Sequence, residues 1–350
     1  MPFNYDLLKS LCETPGVSGH EDAMRALVTR ELQSLTDTLT VDPLGNLVAT
    51  KNGTGGPRIM LAAHMDEIGF LVKFVDDKGF LRLQPVGGWD PRTMVAQRVY
   101  VQGFTGETLL GTLMPAAKPI HQLTPEERSK PAKIEEFFVD LGLPGSRVKE
   151  LVEIGDPVTM ARTTERVGGN VVSKSLDDRL CVFVMIEALR AVGAHQAEII
   201  AVATVQEEVG VRGAITAAQA LKPDVGVALD VTLANDFPGP PEHEYVSKLG
   251  DGPAINIMDS MSISNPKLVK HLRRVAEQNS IPYQLDMLLG GGTDAAGIQK
   301  VGAGIPVVTL SVPTRYIHTV NEMASVSDIE ASITLLARYL EDAHTGQYAS

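Results

Sequence analysis

The stretch Glu198-Ile-Ile-Ala-Val-Ala-Thr-Val-Gln-Glu-Glu208 decides how the fold is read. From 199 to 205 it is apolar almost without a break, the pattern of a strand covered on both faces in a parallel sheet. It then ends on two adjacent carboxylates. Like charges side by side at the end of a buried strand repel each other and lose hydration, so something must stand opposite them. Residues 58–64, Arg-Ile-Met-Leu-Ala-Ala-His, repeat the apolar run, and 225–231, 254–258 and 306–312 read as further strands. Between them, 176–192 reads as a largely apolar helix. Asn265-Pro266 caps a helix to about 278, with proline at its first position, and Ser325 or Ser327 caps a last helix to about 343. Nearer the start, 5–13 reads as a short helix broken by Pro15-Gly16. Ser18-Gly-His-Glu21 reads as a capping box opening a helix to about 35, and 41–50 as a hairpin. Alternating strands and helices of this kind predict an α/β sheet domain.

From about 70 to 164 the texture changes to short alternating runs with frequent Gly and Pro, without a long helix and with a turn near 134–138. This predicts a small β domain inserted at 70–164, the sheet domain being residues 1–69 plus 165–350.

The chain has 350 residues, 44% hydrophobic, ample for a large core. Its formal net charge of −12 argues against nucleic acid as a partner, which needs a basic face. No apolar run approaches the ~20 residues of a membrane span. The stretch Met1-Pro-Phe-Asn-Tyr-Asp6 lacks the features of a signal peptide. Cys12 and Cys181 lack metal-ligand spacing and fit reduced core thiols, so a cytoplasmic protein is expected.

Several of the strands are followed by ionisable groups. His64, Asp66 and Glu67 follow one, Glu207 and Glu208 another, Asp230 ends a third, and 306–312 leads through Arg315 and Tyr316 to His318. Asp177-Asp178-Arg179 sits where a helix begins. Each has an ordinary reading by itself: a surface histidine, a solvated turn, a loop cap, a helix cap with a salt bridge. Open α/β sheets bind ligands at the carboxyl ends of their strands, and there the set becomes imidazoles and carboxylates on one edge. Such ligands without thiolate suit zinc, cobalt or manganese, and one bridging carboxylate makes a two-metal site. One of the paired glutamates can then ligate a cation while its neighbour serves as general base. Gly290-Gly-Gly-Thr-Asp-Ala-Ala-Gly297 lacks the Gly-Lys-Ser/Thr ending of a phosphate loop. It reads either as a plain turn or as a tight turn against substrate, with Gly291, Gly292, Thr293 and Asp294 on the pocket wall. Arg315 and Tyr316 are pocket or packing residues. His121 is a surface residue or one that reaches a neighbouring subunit, and the remaining histidines belong to no constellation.

The motifs Ala62-Ala-His-Met-Asp-Glu-Ile-Gly69, Ser175-Leu-Asp-Asp-Arg179, Thr204-Val-Gln-Glu-Glu-Val-Gly-Val-Arg-Gly213, Leu229-Asp230, Gly290-Gly-Gly-Thr-Asp-Ala295 and Pro313-Thr-Arg-Tyr-Ile-His318 resemble the tetrahedral aminopeptidases. That family includes glutamyl aminopeptidases and proteins once labelled endoglucanase M. The resemblance extends to Ile120-His-Gln-Leu-Thr-Pro-Glu-Glu-Arg128 in the insertion. It implies a mixed-sheet catalytic domain of the phosphorylase/hydrolase-like kind, helices on both faces, with a PDZ-like inserted domain that forms dimers. The dimers would assemble into a hollow tetrahedral dodecamer. It implies two divalent metal ions, one on His64 and Asp230, the other on Glu208 and His318, bridged by Asp177. Asp177 rather than Asp178 as the bridge rests on the family pattern alone. Glu207 would be the general base, and Asp66 would orient His64. The implied activity is removal of the N-terminal residue from peptide substrates, with carboxypeptidase or deacylase chemistry as the runner-up. The stretch Thr319-Val-Asn-Glu-Met323 departs from many relatives and would affect the pocket rim. Two rivals are weaker. A glycoside hydrolase would leave both histidines unexplained and has one tryptophan for stacking sugars. A scaffold that adds peptide strands to the β insertion would have no use for the ligand set. The preferred N-terminal residue is not legible in these motifs.

Overall fold

The computed structural model describes residues 3–348 except 119, 123, 127–129 and 131, so the stretch 120–128 lies partly outside the described residues. The strands in chain order are β1 (Thr38–Val41), β2 (Leu47–Lys51), β3 (Arg58–His64), β4 (Gly69–Val75), β5 (Leu81–Val86), β6 (Gln97–Gln102), β7 (Thr108–Pro115), β8 (Phe137–Asp140), β9 (Pro157–Met160), β10 (Glu165–Val167), β11 (Asn170–Ser173), β12 (Glu198–Thr204), β13 (Val225–Leu233), β14 (Ala254–Met258), β15 (Gln284–Met287), β16 (Val307–Arg315) and β17 (Glu322–Ser325). The helices are α1 (Tyr5–Glu13), α2 (Asp22–Leu32), α3 (Gly145–Leu151), α4 (Leu176–Ala191), α5 (Arg212–Leu221), α6 (Pro266–Gln278), α7 (Asp294–Ile298) and α8 (Val326–Asp342).

An 11-stranded mixed sheet runs β1-β2-β12-β3-β13-β16-β17-β11-β10, with β14 on β16 and β15 on β14. Its centre, β12, β3, β13 and β16, is parallel. Alternate side chains of each central strand enter different cores, which is why these strands are apolar throughout. Ile59, Leu61 and Ala63 of β3, with Ile199, Ala201 and Ala203 of β12, pack into the larger core that holds α1, α2, α4, α6 and α8. Met60, Ala62, Ile200 and Val202 face the smaller core against Ala214, Ala217 and Ala218 of α5 and Ile298 of α7. Helices thus cover both faces.

The second body is a closed six-strand barrel, β4-β5-β8-β7-β6-β9, antiparallel at every pairing. It is filled by Phe70, Val72, Leu81, Val99, Val101 and Leu113. The turn expected near 134–138 is a 3-10 turn at Ile134–Glu136 that runs straight into β8.

Local signals hold or fail for identifiable reasons. Asn265 caps α6 through Lys267 N and Leu268 N, with Pro266 at its first turn. Ser325 is the N-cap of α8, but its hydroxyl bonds Ser327 Oγ instead of the helix. The capping box expected at 18–21 is not formed, because Ser18 Oγ donates to Asp66 Oδ2 at 2.6 Å. Glu21 Oε1 instead accepts from Gly19 N and Gln206 N, and α2 begins at Asp22. That helix ends at Leu32 rather than near 35, its Leu32 carbonyl taken by Thr36 Oγ1 at 3.0 Å. No helix among the described residues is long and apolar enough to cross a membrane.

Candidate metal centre

The parallel register sets the level of the first candidate ligands. His64 pairs across from Thr204, and Ala228 from Ala62, so Asp230, two residues on, stands level with His64 at the carboxyl edge. The loop after β12 is tied to the same edge by Asp66. Its two carboxylate oxygens accept from Glu207 N at 3.0 Å and Glu208 N at 3.1 Å. His64 Nδ1 lies 3.1 Å from the Asp66 carbonyl and 3.4 Å from its Oδ1. Burial alone would raise the Asp66 carboxyl, but the His64 ring and the donors around it outweigh that and hold it low. Asp66 therefore fixes an imidazole and the paired glutamates at once.

Asp177 faces both histidines. His64 Nε2 lies 3.1 Å from its Oδ1, and His318 Nε2 lies 3.4 Å from its Oδ2. His318 Nε2 is also 3.4 Å from Glu208 Oε1. Two triads result, His64–Asp177–Asp230 and Asp177–Glu208–His318, each with ligand atoms within 4.8 Å of one another. Asp177 is common to both. Asp178 turns elsewhere, its Oδ2 accepting from His64 N at 3.2 Å. Arg179 pairs with neither aspartate: it reaches the carbonyls of Leu11, Thr14 and Gly16, which excludes the simple salt-bridged helix cap.

The electrostatics of the cluster are those of a site that cations would stabilise. Burial raises the carboxyls of Asp230, Glu207 and Glu208, and neighbouring carboxylates add to the rise. Asp177 is buried too, yet His318 and His64 together pull it well below the usual range. Glu208 Oε1 is buried with no partner in good hydrogen-bond geometry, its nearest nitrogen being His318 Nε2 at 3.4 Å. A buried carboxylate oxygen so poorly satisfied, in a ring of carboxylates and imidazoles, is the environment a divalent ion satisfies. Cys181 lies nearby, but burial keeps its thiol protonated, so the donor set is nitrogen and oxygen only. The residues present fit a pair of divalent ions. Glu207 belongs to neither triad and lines the open cleft beside them.

The other pocket residues divide. Gly291, Gly292 and Thr293 line the cleft. Asp294 is buried beneath it, accepting from Thr204 Oγ1 at 2.6 Å. Arg315 is clamped by Asp236 at 2.7 Å, and Tyr316 packs on Phe237 and borders a separate cleft with Arg162 and Met323. None of these last three lines the cleft above the triads. His121 is exposed in a 3-10 turn of the connection between β7 and β8.

Sequence reasoning gave no role to two buried acids, Glu322 and Glu67. Glu322 accepts from Asp177 N at 3.0 Å and His318 N at 2.8 Å, and burial raises it to about 8. Glu67 binds Lys174 Nζ and Ser175 Oγ, both at 2.7 Å, just before Asp177. The signal for Glu67 was present in the Asp66-Glu67 pair, a second adjacent acid pair at a strand end. Glu322 carried no periodic signal.

The chain matches the model for the M42 glutamyl aminopeptidase family over residues 45–335. It is 36% identical to a lysyl aminopeptidase of Pyrococcus furiosus over 97% of both chains. An aminopeptidase from the archaeon Desulfurococcus kamchatkensis superposes with a TM-score of 0.92 at 37% identity, covering 96% of this chain and 94% of that one. The TET1 peptidase of Pyrococcus horikoshii, described as assembling into a tetrahedron or a large octahedral shell, superposes with a TM-score of 0.86 at 32% identity, covering 96% and 98%. The chain belongs to the M42 glutamyl aminopeptidase family and is a metal-dependent aminopeptidase.

Proposed function

We propose that the two triads hold two divalent ions, zinc, cobalt or manganese, and that Glu207 is the general base for hydrolysis of the N-terminal peptide bond. One observation carries this reading: Asp177 presents one oxygen to His64 and the other to His318. His64 and Asp230 would hold one ion and Glu208 and His318 the other, with Asp177 common to both groups. When bound, the ions polarise the scissile carbonyl and acidify the attacking water. Glu207 takes the proton of that water and delivers it to the departing amine. Asp66 orients this step, since it holds the Glu207 amide and the His64 ring. The named relatives are aminopeptidases, which favours amino-terminal cleavage over the carboxypeptidase or deacylase alternative.

The barrel strands fall within 70–164 apart from the first residue of β4, which supports a sheet domain of 1–69 plus 165–350 interrupted by a small PDZ-like dimerisation domain. Dimers assembling into a tetrahedral dodecamer, acting on peptides in the cytoplasm, complete the proposal. The exposed apolar outer surface of the barrel supports a partner there. Phe74 of β4 is 54% exposed, and Tyr100 and Leu110, cross-strand partners on β6 and β7, are 38% and 53% exposed.

The test is chelation followed by re-supply of each ion. Activity on aminoacyl p-nitroanilides should vanish and return, and Glu207→Gln should keep both ions while losing roughly 10²–10⁴ in kcat. Full activity in the chelated protein, or in Glu207→Gln, would refute the reading.

A further inference from the structure

The cleft above the triads has no charge to spare. Among the described residues, its ionisable lining side chains are His64, Asp177, Glu207, Glu208, Asp230 and His318, all committed to ions or proton transfer in the function proposed above. The rest of the wall is apolar: Val211, Leu233, Met261, Leu288 and Ile317, with the backbone of the glycine run 290–292 between them. Its two threonine hydroxyls are engaged. Thr232 Oγ1 donates to the buried Asp286 Oδ2 at 2.6 Å. Thr293 Oγ1 bonds Thr309 Oγ1 at 3.0 Å and accepts from Ala295 N at 3.3 Å. Arg315, the cation that the sequence suggested for this wall, is held by Asp236 outside the cleft. Met261 lies directly on the glycine run, since a Cβ at Gly292 would come within 2.6 Å of its Sδ. Met261 and Leu233 remain 45% and 42% exposed, apolar surface open to a ligand.

We infer that this wall receives the side chain of the substrate's first residue, and that the enzyme prefers uncharged apolar N-terminal residues of leucine or methionine size over acidic or basic ones. The inference rests on the aminopeptidase function proposed above. The first residue's Cα lies between the free amine and the scissile carbonyl, so its side chain must start at the centre and run along this cleft. A glutamate there meets no lysine or arginine, and a lysine meets no uncommitted carboxylate. Either loses hydration without a partner. A leucine or methionine is dehydrated favourably against the exposed thioether and aliphatic groups. The preference sets this chain apart from the glutamyl and lysyl activities in the names of its family and of one relative.

The experiment uses the ion-loaded enzyme and the p-nitroanilides of Leu, Met, Glu and Lys. Leu and Met should exceed Glu and Lys at least tenfold in kcat/KM. Met261→Glu should raise the Lys:Leu ratio at least tenfold, and Met261→Lys the Glu:Leu ratio. These ratios do not depend on the fraction of enzyme folded, and Leu288→Glu repeats the test if the Met261 variants do not fold. Glu or Lys equal to or above Leu in the wild type would overturn the pocket inference and leave the aminopeptidase standing. Ratios unmoved in the variants would overturn it too, by placing the side chain elsewhere. No hydrolysis of any member by ion-loaded enzyme would overturn both.

Discussion

Glu322 is a positioning residue. Its carboxylate accepts the main-chain amides of Asp177 and His318, which arrive from different elements. His318 sits in the left-handed region at φ 63°, and Asp177 departs from helical geometry at the head of α4, so neither backbone is held by regular structure. One buried carboxylate therefore sets the distance between the proposed bridge and one imidazole. Replacing it with Gln puts an amide donor against one of two donors. We expect Glu322→Gln to lose roughly 10–100-fold in kcat, with one ion per chain depleted by elemental analysis and KM little changed. Restoration by Glu322→Asp would show that a carboxylate accepting both amides is what the site requires. Lower thermal stability with kcat and both ions intact would make Glu322 a packing residue.

Among elements, the packing of α6 against α8 carries a pH dependence. His271 of α6 is buried, its Nε2 2.7 Å from Asp342 Oδ2 and its Nδ1 on the Tyr348 hydroxyl. Tyr339 of α8 meets its ring edge-on. Burial, with Arg274 adding, lowers His271 below its ordinary 6.5 despite Asp342. A histidine kept neutral in the fold costs stability as pH falls below its unfolded value, because only the unfolded chain takes the proton. The thermal midpoint should fall from pH 7 to pH 5, and His271→Gln should flatten that fall. Equal slopes in both proteins would contradict it. Asp342 is held low and contributes only at more acid pH.

The strands β3, β12, β13 and β16 were legible because burial on both faces writes a continuous apolar run. The cap of α6 was legible because Asn265-Pro266 acts within its own turn. The box at Ser18 failed because a distant group, Asp66, outcompeted the local helix for its hydroxyl. The short strands β10, β11, β15 and β17 are defined by their neighbours more than by their own pattern, and Glu322 was lost with β17. The candidate ligand types and their strand-end positions could be read, but preferring Asp177 to Asp178 as the proposed bridge needs three dimensions, since adjacent residues share every sequence signal.

At the scale of the molecule, the outward apolar residues of the barrel bear on assembly. If they form the proposed dimer contact, the protein should run well above monomer mass in light scattering. Tyr100→Glu with Leu110→Glu should lower that mass while the ion content stays the same. A monomeric wild type would contradict the assembly. The central claim is narrower: one aspartate shared by two ions. Anomalous diffraction from crystals loaded with zinc, cobalt or manganese tests it most directly. The expected result is two peaks roughly 3.5–4 Å apart, one on each Asp177 oxygen, with Glu207 bound to neither. A single peak, or two peaks that leave Asp177 without an ion, would contradict it.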